Sequence, residues 1–468
     1  MSLELEGRKV VVLGLGDTGL SMARWLARRG AGVRVADSRA TPPHAASLAR
    51  ELPRVPLATG PFSDATLAGA DLIAISPGID RREAPIANAI KRGVPVVGDV
   101  ELFAQALKEV ASRQPTAVGP KIVAVTGSNG KSTVTAMAGD MCRAAGRETV
   151  VAGNIGVPVL DALTAIETRG AVPDVFVLEL SSFQLESTTS LEPDAATVLN
   201  VTEDHLDRYD GMTDYAAAKA RVFAGNGVQV LNREDRLTLS MARAGRTVCT
   251  VGLAPPRGDS EWGITGGARP RALAHGGRRL MAVAELPLAG LHNAANALAA
   301  HALAHALGLP DDPLIDALRR FPGLPHRMRK VADIAGVAFY DDSKGTNVGA
   351  TVAALSGLGQ PVVLIAGGQG KGQDFSPLAP AVKARARAVV LIGRDAGLIA
   401  RAIAASGVPV ARAADMDEAV ARAAAVARPG DAVLLSPACA SYDMFRDYVQ
   451  RAEAFAAAVG RLESRGSS

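Results

Sequence analysis

Cysteine is scarce in this chain of 468 residues: three in all, at positions 142, 249 and 439. They lie far apart and match no metal-ligand spacing, so buried, reduced thiols of a cytosolic protein are expected. Long hydrophobic runs are missing as well. None approaches the roughly 18 residues a membrane span requires, and a short charged segment passes from Met1 straight to an apolar run at Val10, leaving no room for a signal peptide. A soluble, cytoplasmic chain is expected. Positive charge is not concentrated either: the net charge is +4 and the basic residues are scattered, which argues against nucleic acid and for small anionic ligands as partners. Lysine is the last shortage, with arginine outnumbering it about four to one. Lys131, Lys219, Lys344 and Lys371 therefore draw notice, because each stands in a motif-like setting where a compact amine can do what a guanidinium cannot.

Apolar runs ending in glycine or acidic residues alternate with Ala/Leu/Arg-rich stretches of helical period, the pattern of α/β domains with mostly parallel sheets. There is no internal repeat. The length suggests two to four domains, with three the natural division. One break falls in the polar Pro/Gly-containing stretch 111–120, the other at 321–326 (FPGLPH). The expected domains are therefore 1–115, 116–322 and 323–468. In the last, strands are predicted at 337–340, 362–366, 389–392 and 432–435, another open α/β sheet.

The most informative stretch is 126–133 (TGSNGKST), which follows the apolar run 121–125. A strand feeding Gly-Lys-Ser/Thr builds a phosphate cradle. Glycines let backbone N–H groups approach phosphates, Lys131 reaches the β/γ oxygens, and the Ser132 hydroxyl can sit on Mg²⁺. The helix beginning there adds its positive end. Val125 stands where the full pattern has its first glycine, so the loop is a shortened version. Glu179 ends a predicted strand at 174–179, the edge where open α/β sheets bind ligands, and can hold Mg²⁺ beside a triphosphate. The strand 196–200 exits into 202–207 (TEDHLD), offering Asp204 and His205 to the same place. Lys219 lies on a predicted helix, 213–223, and by position alone is equally a solvated helix lysine.

In the N-terminal segment GLGDTG (14–19) follows a strand and precedes a helix, and Asp37 ends the next strand, a dinucleotide-binding fingerprint. Alone it predicts NAD(P) and an oxidoreductase. Glycines at such a turn also serve any pyrophosphate or uridine-type ligand, and a second loop, 76–78 (SPG), ends a later strand beside it.

The motifs at 126–133, 153–156 (GNIG), 179–186 (ELSSFQLE), 200–205 (NVTEDH), 290–293 (GLHN), 325–327 (PHR), 342–344 (DSK) and 435–441 (LSPACAS) together resemble the Mur ligases, across nearly the whole chain. The phosphate loop is shared with every such ligase and with folylpolyglutamate synthase. The ELSSFQ and SPACAS stretches and the short N-terminal segment are similar to the members that add D-glutamate. The resemblance implies a UDP-binding Rossmann-like domain, a central ATPase domain and a C-terminal Rossmann-like domain that binds the amino acid. It implies an ATP-dependent amide ligase that joins D-glutamate to UDP-N-acetylmuramoyl-L-alanine through an acyl phosphate, a monomer and a step of cell-wall precursor synthesis.

The resemblance also implies roles for residues. Gly127, Ser128, Asn129, Gly130, Lys131, Ser132 and Thr133 would hold ATP, with Asn293, Arg327 and Asp342. Ser132 and Glu179 would hold one Mg²⁺. His205 and Lys219, carbamylated by CO₂, would hold a second, since a carbamate offers the anionic oxygens that hard cations take. Asp17, Thr18, Asp37, Ser38, Arg39, Ser76, Pro77, Gly78 and Asn154 would meet the UDP substrate. Lys344, Thr346, Lys371, Ser441 and Tyr448 would form the D-glutamate site. Tyr448, Tyr442 and Ser38 stand where the family often has phenylalanine, leucine and threonine.

Overall fold

The computed structural model describes residues 4–112, 119–266, 270–288 and 290–466. Three separate sheets organise the chain. The first runs Leu57–Thr59, Gly32–Asp37, Lys9–Leu13, Leu72–Ile75, Val96–Val97 in spatial order, all parallel. Residues 10–13 and 72–75 of its two middle strands are continuous buried apolar runs, because helices cover both faces. Strand order reverses between Lys9–Leu13 and Leu72–Ile75, so the crevice past their carboxyl ends is the expected ligand position. There Gly14 turns the chain at φ +86°, and the helix Asp17–Arg28 passes so close that a Cβ on Gly19 would lie 1.8 Å from the Gly14 carbonyl oxygen.

The second sheet has nine strands: Arg278–Ala282, Ala272–His275, Glu261–Thr265, Val248–Val251, Val228–Asn232, Ala195–Val198, Lys121–Thr126, Val175–Glu179, Thr149–Gly153. All pairings are parallel except at one edge, where Ala272–His275 runs antiparallel to both Glu261–Thr265 and Arg278–Ala282. Helices Lys131–Ala144 and Leu291–Ala306 share a core with one face. On the other face the core is continuous with that of the first sheet through helices Asp99–Ser112 and Val159–Arg169. Phe103 meets Phe176 edge-on there, with ring centroids 5.1 Å apart.

The third sheet runs Arg329–Ile334, Val337–Asp341, Ala432–Leu435, Val362–Gly367, Ala386–Ile392, Val410–Arg412, antiparallel only at its first pair. It has its own core on each face. The predicted boundary at 115/116 lies outside the described residues, and the one at 322/323 falls between the helix Asp311–Arg320 and the strand Arg329–Ile334. The predicted helix 213–223 is an α-helix, Met212–Ala220, tightening into a 3₁₀ turn, Arg221–Phe223. Of the thiols, Cys142 and Cys439 are buried, whereas Cys249 is only partly so. Among the described residues no helix is long and apolar enough to cross a membrane.

Candidate active site

The strand Lys121–Thr126 delivers the loop at 127–130 to the middle of the second sheet, and Gly130 caps the helix Lys131–Ala144 at φ +85°. Left-handed backbone at that point lets the helix begin abruptly, aiming its unpaired N–H groups and positive dipole end out of the sheet. Asn200 locks the loop from the neighbouring strand's exit. Its Oδ1 accepts from Asn129 N at 2.8 Å and its Nδ2 donates to Asn129 O at 3.1 Å. Ser128 Oγ donates to Thr202 O at 2.9 Å. Ser132 and Thr133 are buried at the helix start. Lys131 Nζ donates to the carbonyls of Gly127 and Ser128 at 2.9 and 3.0 Å, and burial lowers its pKa.

Glu179, 1% exposed, ends the adjacent strand. Its Oε1 accepts from Asn154 Nδ2 at 2.8 Å, and its Oε2 is buried without a hydrogen-bond partner. A buried unpaired carboxylate oxygen is costly unless a cation meets it. Lys219 reaches the same loop from the helix Met212–Ala220. Its Nζ donates to Gly127 O at 2.9 Å and lies 4.3 Å from the Tyr215 ring centre, with the side chain 1% exposed. Burial pushes its pKa well below the usual lysine range; nearby Lys131 adds to this, while Asp204 and Glu179 oppose it. The solvated-lysine alternative is thereby removed. His205 takes φ +56° at the strand exit, its ring edge-on to Phe183 at 4.7 Å, and burial lowers its pKa against the pull of Asp204. Among the described residues no three His, Cys, Asp or Glu side chains form a ready metal cage. A cation held by Glu179 or His205 therefore takes its other ligands from different oxygens, such as the Ser132 hydroxyl or phosphate.

The third unit closes over this loop. Arg327 Nη2 donates to Ser132 Oγ at 2.8 Å. Beside it a cavity of about 320 Å³ is lined by Asn129, Gly130, Asn293, Arg327, Asp342 and Lys344. Burial pushes Asp342 up to about 7, although Ser436 Oγ donates to it at 2.7 Å. Lys344 Nζ lies 4.0 Å from the Tyr448 ring centre, and Thr346 N donates to Lys344 O at 2.9 Å in the same tight turn. Lys371, at φ +51°, extends instead to the second unit, where its Nζ pairs with Asp204 Oδ1 at 2.8 Å. Burial would raise the Asp204 pKa; Lys371 and His205 hold it low. Ser441 is buried and Tyr442 is 72% exposed. The two lysines expected in one amino-acid site thus meet different partners.

At the crevice of the first sheet, Asp37 Oδ2 accepts from Leu15 N and Arg39 Nη2, both at 2.6 Å, and its Oδ1 from Arg39 N and Nε. Burial opposes ionisation, but the Arg39 hydrogen bonds outweigh it and hold the carboxyl at about 2. Ser76 Oγ donates to Gly14 O at 3.3 Å, joining the two loops. Asp17 is exposed and pairs with His44 at 2.7 Å, Thr18 is half-buried beside it, and Ser38 is exposed. Pro77 and Gly78 continue toward the second unit, where Arg208 Nη1 donates to Pro77 O at 3.4 Å.

Sequence reasoning missed Asn347. It caps the helix Val348–Gly357 through Ala350 N at 2.9 Å, while its Nδ2 reaches across to Asn129 Oδ1 at 3.0 Å and Asp204 Oδ2 at 3.2 Å. An Asn before an apolar helical run signals a cap; nothing local signals the second grip.

Residues 125–304 match the Mur ligase middle domain, residues 8–98 the Mur ligase MurD-like N-terminal domain, and residues 326–439 the Mur ligase glutamate ligase domain. The chain is 59% identical to the UDP-N-acetylmuramoylalanine–D-glutamate ligase of Thiobacillus denitrificans, covering 99% of this chain and 98% of the relative. It is 56% identical to the enzyme of that name from Nitrosospira multiformis, covering 99% and 97%. In fold it is similar to the UDP-N-acetylmuramate-alanine ligase of Thermotoga maritima, with a TM-score of 0.60 at 21% identity over 98% of this chain and 99% of the other. With all three of its units matched and its relatives aligned end to end, the chain belongs to the Mur ligase family.

Proposed function

We propose that this protein is an ATP-dependent ligase that adds D-glutamate to UDP-N-acetylmuramoyl-L-alanine, the ligation its relatives are named for, and that it serves peptidoglycan precursor synthesis in the cytoplasm. The observation that carries the reading is the end-to-end 59% identity to a D-glutamate ligase, which takes in all three units. A match of residues 8–98 to a MurD-like domain favours UDP over a nicotinamide dinucleotide at the Gly14–Gly19 turn. Domains of 1–115, 116–322 and 323–468 would then bind the UDP precursor, ATP and the amino acid, in a chain read as a monomer.

Attack of the precursor's alanyl carboxylate on the γ-phosphate needs two anions brought together, so positioning and charge neutralisation dominate. Lys131 and the amides of the 127–130 loop hold the phosphates, and Arg327, already on Ser132, covers them from the third unit. Asn293 and Asp342 line the nucleotide side of the cavity. Asn154, fixed by Glu179, faces the precursor. Glu179 Oε2 and the Ser132 hydroxyl fit one divalent cation, His205 and a carbamylated Lys219 a second; when bound, Mg²⁺ neutralises the phosphate oxygens and polarises the γ-phosphoryl group. The depressed basicity of Lys219 fits this use, because only a neutral amine adds CO₂. Lys344, Thr346, Lys371, Ser441 and Tyr448 receive D-glutamate, whose amine displaces phosphate from the acyl phosphate while the closed third unit excludes water. Asp17, Thr18, Asp37, Ser38 and Arg39, with the 76–78 loop, take the uridine end.

The test is phosphate release with ATP, the UDP precursor and a panel of D- and L-amino acids. D-Glutamate alone should support turnover. Sites built around a charged group reject acceptors lacking it by about 10⁴-fold. Equal use of L-glutamate or L-lysine refutes the assignment.

A further inference from the structure

Arg208 stands three residues beyond His205 on the same exit loop, and its N–H donates to His205 O at 2.9 Å, closing a turn that contains the positive-φ histidine. Its side chain is only 10% exposed. From there the guanidinium crosses into the first unit, donating from Nη2 to Ile79 O at 3.0 Å and from Nη1 to Pro77 O at 3.4 Å. Nη2 also donates to Glu186 Oε2 at 2.8 Å, while Tyr209 OH donates to Glu186 Oε1 at 2.5 Å. Asp80 Oδ2 lies 3.9 Å from Nε, and Arg81 donates to the Glu186 carbonyl. The face of the group lies 4.6 Å over the Phe183 ring, which also meets the rings of His205 and Tyr209, at 4.7 and 6.1 Å between centroids. One planar cation thus touches the loop at 76–79 and, through Phe183, the imidazole, while the Arg208 N–H holds the backbone of His205.

We propose that Arg208 is a positioning residue that couples engagement of the UDP precursor at the 76–78 loop to the orientation of His205 for its divalent cation. The inference rests on the functional reading above, which places the precursor on that loop and Mg²⁺ at His205. Arginine suits the task because its fixed fork serves two carbonyls and a carboxylate while its π-face stacks, which a lysine ammonium cannot do at once. Its contacts are main-chain carbonyls of the loop and a ring beside the histidine, so it acts through both groups.

The test pairs Mn²⁺ binding to the full-length enzyme without ATP, followed by electron paramagnetic resonance with and without precursor, with steady-state phosphate release in which precursor, Mg²⁺ and D-glutamate are varied in turn. Precursor should tighten Mn²⁺ binding in the parent and not in Arg208→Lys, and equal tightening in both would overturn the coupling. For Arg208→Lys the KM for precursor and the half-saturating Mg²⁺ concentration should each rise about tenfold, the scale of one lost charge-assisted contact, with an unchanged KM for D-glutamate. Phe183→Leu should raise the Mg²⁺ requirement and leave the precursor KM near the parent's. Glu186→Gln, which keeps the shape around Arg208, should reproduce the paired shift in milder form if Arg208→Lys folds poorly. A raised precursor KM with a parental Mg²⁺ response would end the coupling at the loop and overturn the proposal, as would a fall in kcat with both constants unchanged. A parent enzyme with no precursor-stimulated phosphate release would instead remove the functional reading itself.

Discussion

Lys219 shows what a single position can and cannot tell. Its neighbours in the sequence are alanines, so nothing local separates it from a solvent lysine; only the approach of Tyr215 and the Gly127 carbonyl, from residues up to 92 positions away, buries it. We expect Lys219→Arg to be inactive, because a guanidinium is too basic to add CO₂. We also expect the parent to lose rate after CO₂ removal at mildly acidic pH and regain it with bicarbonate. Full activity in Lys219→Arg contradicts the carbamate. Asp99 offers an independent check on burial. It is 1% exposed, and burial pushes its carboxyl up to about 6 even though Gln184 Nε2 donates to it at 3.1 Å. A raised carboxyl pKa favours the folded state only while the proton is held, so its stabilisation is complete below 3.8 and is lost as pH climbs through about 6. Asp99→Asn is neutral throughout. Its Tm relative to the parent should therefore increase between pH 4 and 7 and be flat below; a difference independent of pH contradicts the buried charge.

The central parallel strands were readable as elements because buried apolar runs dominate them: 432–435 is the observed strand, and 121–125 and 337–340 each fall one residue short. Their carboxyl ends locate Glu179, His205 and the phosphate loop from the sequence alone. The antiparallel additions were not predicted: Arg278–Ala282 and the edge strand Arg329–Ile334 are half-exposed with weak alternation, and Ala272–His275, though buried, is only four residues long. Turn geometry was only partly legible. GLGDTG marked a glycine turn between strand and helix, while the closeness of the two is visible only in the structure, at Gly19. Gly19→Ala should strain the turn by about 1–3 kcal/mol, the usual cost of overpacking, and raise the KM for the UDP precursor while leaving that for ATP unchanged. Kinetics with each substrate varied decide this; a larger effect on ATP contradicts the division of labour between the first two sheets.

In the whole molecule, the polar side-chain contacts that hold the third unit on the second are few among the described residues: Arg327 on Ser132, Asn347 on Asn129 and Asp204, Lys371 on Asp204, and the Asp374 N–H on Glu203. None was foreseeable from the sequence, because each joins residues more than 140 positions apart. Asn347→Ser keeps a side-chain oxygen for the helix cap and removes the amide that makes the bridge. It should lower kcat/KM about 5- to 10-fold, as loss of one or two neutral hydrogen bonds does, with little change in Tm; a parental rate would mean the bridge does not set closure. The central claim is that ATP activates the precursor's carboxylate as an acyl phosphate within this closed arrangement. It is tested most directly by turning over UDP-N-acetylmuramoyl-L-alanine labelled with ¹⁸O in the alanyl carboxylate, with ATP and D-glutamate, and weighing the products. The account predicts one ¹⁸O in each inorganic phosphate released, with ADP unlabelled. Phosphate free of ¹⁸O, or label found in AMP, would contradict it.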